Sequence, residues 1–195
     1  MTFYPDKINR LFSAPRRAGK AARANAVGTG VSFVCGCFVR VFLEIDTETK
    51  EIRDARYQTN GCGFAIAAAE CLAEKIEGRR LTELHGLDHA ELLAKIESAL
   101  HKFPATRTHC AELGFDALQG ALGDFRALQI EEFAGEKALI CTCFGVSEET
   151  IQQLISTHRV ETVEEVGDAC HAGTGCGSCR FLIQELIDIQ ELENA

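Results

Sequence analysis

From Phe38 to Ile45 the side chains alternate along the chain. Val39, Val41, Leu43 and Ile45 fall on one side; Phe38, Arg40, Phe42 and Glu44 fall on the other. A period of two predicts a half-buried strand. Residues 46–50, DTETK, have turn composition, and residues 52–59 read as a second strand, so the pair forms a hairpin. Asn60-Gly-Cys-Gly63 breaks the alternation. From Phe64 onward the apolar positions are Phe64, Ala68, Cys71, Leu72 and Ile76, which is helical spacing. Asp88 with Glu91 spells a capping box ahead of Leu92, Leu93, Ile96 and Leu100. Pro104 interrupts, and a further helix runs from about Thr108 to Ala127, with Leu113, Ala117, Leu118, Ala121, Leu122 and Phe125 inward. Two or three strands followed by helices predict an α+β domain.

Residues 131–137, EEFAGEK, have no apolar period and read as a linker. The expected organisation is therefore a first domain over 1–130, a linker over 131–138 and a second, mostly helical domain over 139–195. The second domain carries three short helical patterns: Ile151/Leu154/Ile155; Val163/Val166/Ala169, opened by Thr162 and Glu165 as a capping box; and Leu182/Ile183/Leu186/Ile189. Below roughly 70–80 residues a lone apolar core seldom suffices, and a metal staple is a common remedy.

The chain has 195 residues, 46% apolar and 25% charged, the composition of a globular protein. Its longest apolar run, from Phe64 to Ala69, is six residues, too short to span a bilayer. The first residues hold no signal-peptide core, so the expected location is cytoplasmic. A net charge of −9 argues against nucleic acid or an anionic membrane as the main partner. The charge is uneven. Lys7, Arg10, Arg16, Arg17, Lys20, Arg23 and Arg40 against Asp6 give residues 1–40 a net +6, whereas residues 139–195 carry −8. The basic arm reads either as a docking surface, for an acidic partner or for the acidic second domain in cis or across a homodimer, or as a solvated, partly flexible segment.

Ten cysteines change the picture. In a reducing compartment so many thiols point first to metal. Cys141-x-Cys143 and Cys176-x-x-Cys179 are two close pairs, the way a chain supplies four thiolates to one tetrahedral metal or one iron–sulfur cluster. The segment from Ala172 to Cys179 is glycine-rich, so backbone N–H groups can approach sulfur, and Cys179 opens a helix whose N-terminal dipole favours thiolates. Zinc uses the same devices and stays open on spacing alone. The glycines form neither a P-loop nor a dinucleotide motif. In the first domain Cys35 and Cys37 precede a strand, Cys62 lies between a strand and a helix, and Cys110 lies in the first turn of a helix after His109. All are element ends, rigid but reachable. Cys71 and Cys170 read as core filler, and His85, His89, His101, His158 and His171 as solvated.

Residues 27–127 resemble the IscU and NifU family of iron–sulfur scaffolds through Val27-Gly-Thr-Gly30, Cys35-Gly, the segment from Asp54 to Ala67, and His109-Cys110. Ala14-Pro-Arg-Arg-Ala-Gly19 also resembles a family segment. Residues 140–187 resemble the [2Fe-2S] domain of bacterioferritin-associated ferredoxin and the middle of NifU, through Cys-Thr-Cys-Phe-Gly-Val-Ser and Gly-Thr-Gly-Cys-Gly-Ser-Cys. The order is that of NifU; its third, cluster-carrier domain has no counterpart up to Ala195. The family's three scaffold cysteines fall on Cys35, Cys62 and Cys110, and its histidine on His109. Its aspartate, associated with cluster lability, falls on Cys37, which would make an all-sulfur site. Phe103-Pro-Ala-Thr-Arg107 replaces the motif of chaperone-served scaffolds, so service by a dedicated chaperone is not expected.

The resemblance implies a non-enzymatic scaffold. A transient Fe–S cluster, or iron or zinc, would sit on Cys35, Cys37, Cys62 and Cys110 with His109. A permanent [2Fe-2S] cluster would sit on Cys141, Cys143, Cys176 and Cys179. The implied partners are a cysteine desulfurase and apo iron–sulfur clients. Two other classes stay open: an electron-transfer protein with two permanent clusters, favoured by Cys37, and a zinc-binding regulatory module.

Overall fold

A computed structural model describes residues 3–33, 35–84, 89–101, 103–132, 138–158 and 160–193. In chain order the elements are α1 (Asp6–Ser13), β1 (Ala26–Val31), β2 (Phe38–Ile45), β3 (Ile52–Thr59), α2 (Gly63–Ile76), a single-turn α3 (Leu81–Leu84), α4 (His89–Leu100) and α5 (Thr108–Glu132). Then follow β4 (Leu139–Cys141), β5 (Val146–Ser147), α6 (Glu148–His158), α7 (Val163–Cys170) and α8 (Arg180–Glu193). The chain falls into two compact units. One comprises Met1–Thr47, Glu51–Arg79 and Gly86–Phe125; the other comprises Glu48–Lys50, Arg80–His85 and Arg126–Ala195. The α+β expectation holds.

In the first unit β1, β2 and β3 form an antiparallel sheet in that order. β2, predicted from period-two alternation, and β3 begin and end as expected, but Phe42, which the alternation placed on the face opposite Val41 and Leu43, is buried as they are. α2 is buried nearly all round, from Gly63 to Ile76, because its alanines let the sheet and other helices approach on every side. Glu70 lies on this helix at 2% exposure, and the backbone N–H groups of Arg16 and Arg17 donate to its carboxylate. Arg17 also forms an ion pair with Glu77, and Tyr57 exchanges backbone hydrogen bonds with Arg17 and Gly19. The solvated-arm reading is therefore corrected. α1 buries Ile8, and the following segment is held by a buried carboxylate.

β1 is the strand that the alternation did not reveal. Its inward face is Ala26, Gly28 and Gly30. A Cβ at Gly28 would lie 2.1 Å from the Ala117 carbonyl oxygen and 2.2 Å from the Ala121 nitrogen; one at Gly30 would lie 2.3 Å from the Leu113 carbonyl oxygen. Helix α5 thus rests its backbone directly on β1, and only glycine permits that approach. α5 is longer than expected. Glu131 and Glu132, read as linker, form its last residues, because charged residues with good helix propensity extend a helix without needing an apolar face. The rest of the linker, 133–137, lies outside the described residues, as does Asp88, the expected cap of α4.

In the second unit β4 and β5 pair as a short antiparallel hairpin that presents Cys141 and Cys143. The three helical patterns all form helices, and the Thr162–Glu165 capping box is complete in both directions. The buried positions differ from expectation in two helices. α7 buries Val163, Val166 and Gly167 rather than Ala169. α8 buries Ile183 and Ile187 while Leu182 and Ile189 stay exposed, since apolar residues are spread around α8 and its spacing does not single out one face. No helix among the described residues is long and apolar enough to cross a membrane.

Candidate metal centres

In the second unit Cys141 stands at the end of β4, Cys143 in the hairpin turn, and Cys176 and Cys179 in the loop that runs into α8. All four are buried, between 1% and 7% exposed. They line one cavity of about 150 Å³ with Ile140, Gly173, Gly175 and Leu182. A Cβ at Gly175 would press to 2.8 Å from the Cys143 Cβ, so this glycine lets the two cysteine-bearing loops close on each other. The thiols meet in two pairs, Cys141 with Cys179 and Cys143 with Cys176. Cys141 is held below the usual thiol range by the Cys179 hydrogen bond and by the N–H groups of Gly173, Phe144 and Cys143. Cys176 is held down by the Cys143 thiol and by Ser178, whose Oγ lies 3.1 Å away. Cys143 and Cys179, the donors of each pair, are pushed up. Cys170 points back to the Val166 carbonyl at 3.2 Å, a half-buried helical thiol.

This donor set fits a binuclear cluster. Four thiols in two pairs around one cavity match two irons that take two thiolates each. Neutral N–H donors aimed at the sulfurs stabilise the excess negative charge of four thiolates, and loading requires the thiol protons to leave.

In the first unit Cys35 is exposed, Cys37 and Cys62 are half-buried and Cys110 is buried. Cys35 and Cys37 sit on the tight loop between β1 and β2, closed by Ser32 N–H to Cys37 O at 2.8 Å and Gly36 N–H to Ser32 O at 2.9 Å. Gly36 takes φ 69°, the left-handed bend that spacing alone demanded if both side chains were to face one site. Cys62 is the N-cap of α2, and Cys110 lies in the first turn of α5. The Cys35 thiol is lowered by the Ser32 hydroxyl and by the amide and thiol of Cys37, and Cys37 is raised as the donor to Cys35. Burial pushes Cys110 up to about 12, reinforced by Cys62. His109 Nε2 lies 3.4 Å from Cys110 Sγ. All four thiols thus influence one another, again as two pairs, Cys35 with Cys37 and Cys62 with Cys110. Cys71 is buried in α2, as expected of core filler, and His101, His158 and His171 are exposed.

Sequence reasoning missed the residues that set the loop. Asn60 Oδ1 accepts from the Phe38 N–H at 2.8 Å, its Nδ2 donates to the Gly36 carbonyl at 3.2 Å, and Thr59 Oγ1 accepts from the Gly61 N–H at 2.9 Å. Asn60-Gly61 was visible as a break between strand and helix. Its reach back across more than twenty residues was not.

Residues 3–132 match the NifU-like N terminal domain family, and residues 139–189 match the BFD-like [2Fe-2S] binding domain family. The chain belongs to the NifU-like family. It is 32% identical over 197 residues to the nitrogen fixation protein NifU of Trichormus azollae, covering 96% of this chain and 64% of that protein. It therefore spans just under two thirds of that relative. It is 29% identical over 129 residues to the iron–sulfur cluster assembly scaffold protein IscU of Haemophilus influenzae, covering 65% of this chain and 98% of IscU. Among solved structures, one assigned to iron–sulfur cluster assembly for the SUF system, from Fervidobacterium islandicum AW-1, superposes with a TM-score of 0.52 and 23% identity. It covers 61% of this chain and 96% of that one, and shares the fold of this NifU-like first domain.

Proposed function

We propose that this chain is a two-domain iron–sulfur assembly scaffold, with a first domain over 1–130 and a second over 139–195. In the first domain Cys35, Cys37, Cys62 and Cys110, with His109 beside them, receive iron and sulfide as cargo and release the finished cluster to apo-proteins. In the second, Cys141, Cys143, Cys176 and Cys179 hold a resident [2Fe-2S] group that supplies one-electron chemistry. The observation that carries the reading is the contrast between the two thiol sets. The second set is wholly buried with N–H donors on its sulfurs, whereas the first opens to solvent at Cys35. Cargo needs an entrance and a resident group needs exclusion of water.

The chain's residues divide the work accordingly. The Gly36 bend and the Asn60 clamp hold Cys35 and Cys37 ready at the surface. Cys62 is the N-cap of α2 and Cys110 lies in the first turn of α5, so two helix starts carry the inner pair of thiols. Buried Cys110 gives up its proton when metal arrives. A cysteine desulfurase is the sulfur donor this reading requires, and apo iron–sulfur proteins are the recipients. Assembly and delivery of cargo make the chain a carrier rather than a catalyst. A second reading, two permanent electron-transfer centres, is favoured by Cys37, since four soft sulfurs hold iron harder than three sulfurs and a carboxylate.

The test is anaerobic reconstitution of the full chain with ferrous iron and sulfide, followed by iron and sulfide counts and transfer to an apo-ferredoxin. The scaffold reading expects two cluster populations, one transferable and one not, with Cys62→Ser losing only the transferable one. If neither population moves to the acceptor, the electron-transfer reading replaces it; a colourless zinc protein overturns both.

A further inference from the structure

Sulfur carried on a persulfide is sulfane sulfur, at oxidation state zero, whereas a cluster takes sulfide. Two electrons must be supplied per sulfur. The loop before β2 holds a source. Cys35 is exposed and Cys37 is half-buried beside it, and Cys37 Sγ lies 4.0 Å from the Cys35 carbonyl oxygen. On an extended strand these side chains would point to opposite faces; Gly36 at φ 69° brings them to one side. The loop is fixed before any cargo binds, by the Ser32–Cys37 and Gly36–Ser32 backbone bonds and by Asn60. The other Cys-x-Cys pair is built differently. Cys141 and Cys143 are buried, and each meets a thiol of the later loop rather than the other.

We propose that Cys35 and Cys37 act as a sulfide-releasing dithiol, in which Cys35 takes sulfane sulfur from a persulfide donor and Cys37 displaces it as hydrosulfide. The inference rests on the scaffold reading for its purpose, not for its chemistry. In the first step the Cys35 thiolate attacks the terminal sulfur of a donor persulfide. The donor's S–S bond breaks, its thiolate leaves, and Cys35 becomes a persulfide. In the second step the Cys37 thiolate attacks Cys35 Sγ. The bond from Cys35 Sγ to the sulfane sulfur breaks, hydrosulfide leaves with the electron pair, and a Cys35–Cys37 disulfide forms. The sulfane sulfur gains two electrons, and the two cysteine sulfurs together lose two. A dithiol reductant restores the pair by exchange, and exposed disulfides are the readily reduced ones. Because Cys37 is already adjacent, its attack is effectively intramolecular and outruns external thiols.

The test uses the full chain, free of iron under chelator, with glutathione persulfide as the probe. Trypsin releases residues 24–40, which contain Cys35 and Cys37 and no other cysteine. Wild type is expected to release one hydrosulfide per chain and to yield this peptide lighter by two hydrogens, the internal disulfide. In Cys37→Ser and in Cys37→Asp the peptide gains one sulfur, and hydrosulfide release slows by about tenfold or more. Release at the wild-type rate from both variants overturns the proposal. So does a stable extra sulfur on the wild-type peptide, or a disulfide from Cys35 to a different peptide. A parallel reconstitution with ferrous iron and inorganic sulfide bypasses this step. If wild type assembles a cluster there but shows no dithiol chemistry, the proposal falls and the scaffold reading stands. If it assembles none, the scaffold reading falls while the iron-free assay still decides the proposal.

Discussion

Replacing Gly28 by alanine tests whether the small face of β1 sets the position of α5 and, through it, the placement of Cys110. The added Cβ would meet Ala117 O at 2.1 Å and Ala121 N at 2.2 Å, both backbone atoms that no rotamer change can move. To restore ordinary contact the helix must retreat by about 1.3 Å, or the strand must buckle. Overpacking of this kind costs about 1–3 kcal/mol, and a backbone clash belongs at the upper end. For a domain of this size that is a fall in Tm of roughly 5–15 °C. Gly123→Ala is the opposing control. It lies on the same helix with nothing near its Cβ, so alanine there contributes about 0.5–1 kcal/mol through helix propensity. The assay is thermal unfolding of the two variants, followed by reconstitution. Gly28→Ala is expected to melt earlier and to load less transferable cluster, with the second domain's absorption unchanged; Gly123→Ala is expected to melt later. If Gly28→Ala melts with wild type, α5 does not bear on β1 as described, and the reasoning fails.

Cys176→Ser is expected to abolish the visible absorption of the second domain and lower its thermal stability, because metal binding and folding are coupled in so small a unit; a coloured variant of equal stability removes Cys176 from the ligand set. Cys37→Asp should still assemble cargo but lose it faster to a chelator, since a carboxylate oxygen holds iron less firmly than a thiolate, whereas Cys35→Ser should impair assembly itself; equal release rates for wild type and Cys37→Asp leave Cys37 without a metal contact. Glu70→Gln removes the charge that accepts the Arg16 and Arg17 N–H groups and turns a donor toward them, at a cost of about 1.5–3 kcal/mol; tryptic cleavage after Arg16 or Arg17 should accelerate, and unchanged digestion would show that the arm is held by other contacts.

The limits of β2 and β3 were legible, β2 from its alternation and β3 from the turn composition before it and the Asn60-Gly61 break after it, but Phe42 is buried against that alternation. The second domain's helices were legible from their apolar spacing, and one from its capping box. β1 was not, since its inward face is made of glycines: it is a strand defined by what α5 needs to fit against it, and a hydrophobic pattern registers knobs, not hollows. β4 and β5 are too short for any period to show. The anchoring of the arm escaped because Glu70 is a charged residue on a buried face, a position where composition points outward. The cysteines themselves were plain in the sequence, and so was the need for a bend at Gly36. Their pairing across loops, and the roles of Asn60, Ser32 and Ser178, depend on side chains that meet only after folding.

The clamp at Asn60 has a consequence for how this protein ages. Asparagine followed by glycine is the dipeptide most prone to spontaneous deamidation, in which the glycine nitrogen attacks the preceding carboxamide, ammonia departs, and water opens the resulting succinimide to aspartate or isoaspartate. Folding obstructs that attack on both sides: the carboxamide is engaged by Phe38 N–H and Gly36 O, and the Gly61 N–H is engaged by Thr59 Oγ1. The unfolded chain has no such protection. Each excursion out of the native state therefore carries a risk of irreversible damage, and a damaged molecule refolds with an anionic oxygen facing the Gly36 carbonyl where a donor used to be. The cysteine loop would loosen while every cysteine remained intact, so an old preparation could lose its capacity for cargo with no thiol oxidised.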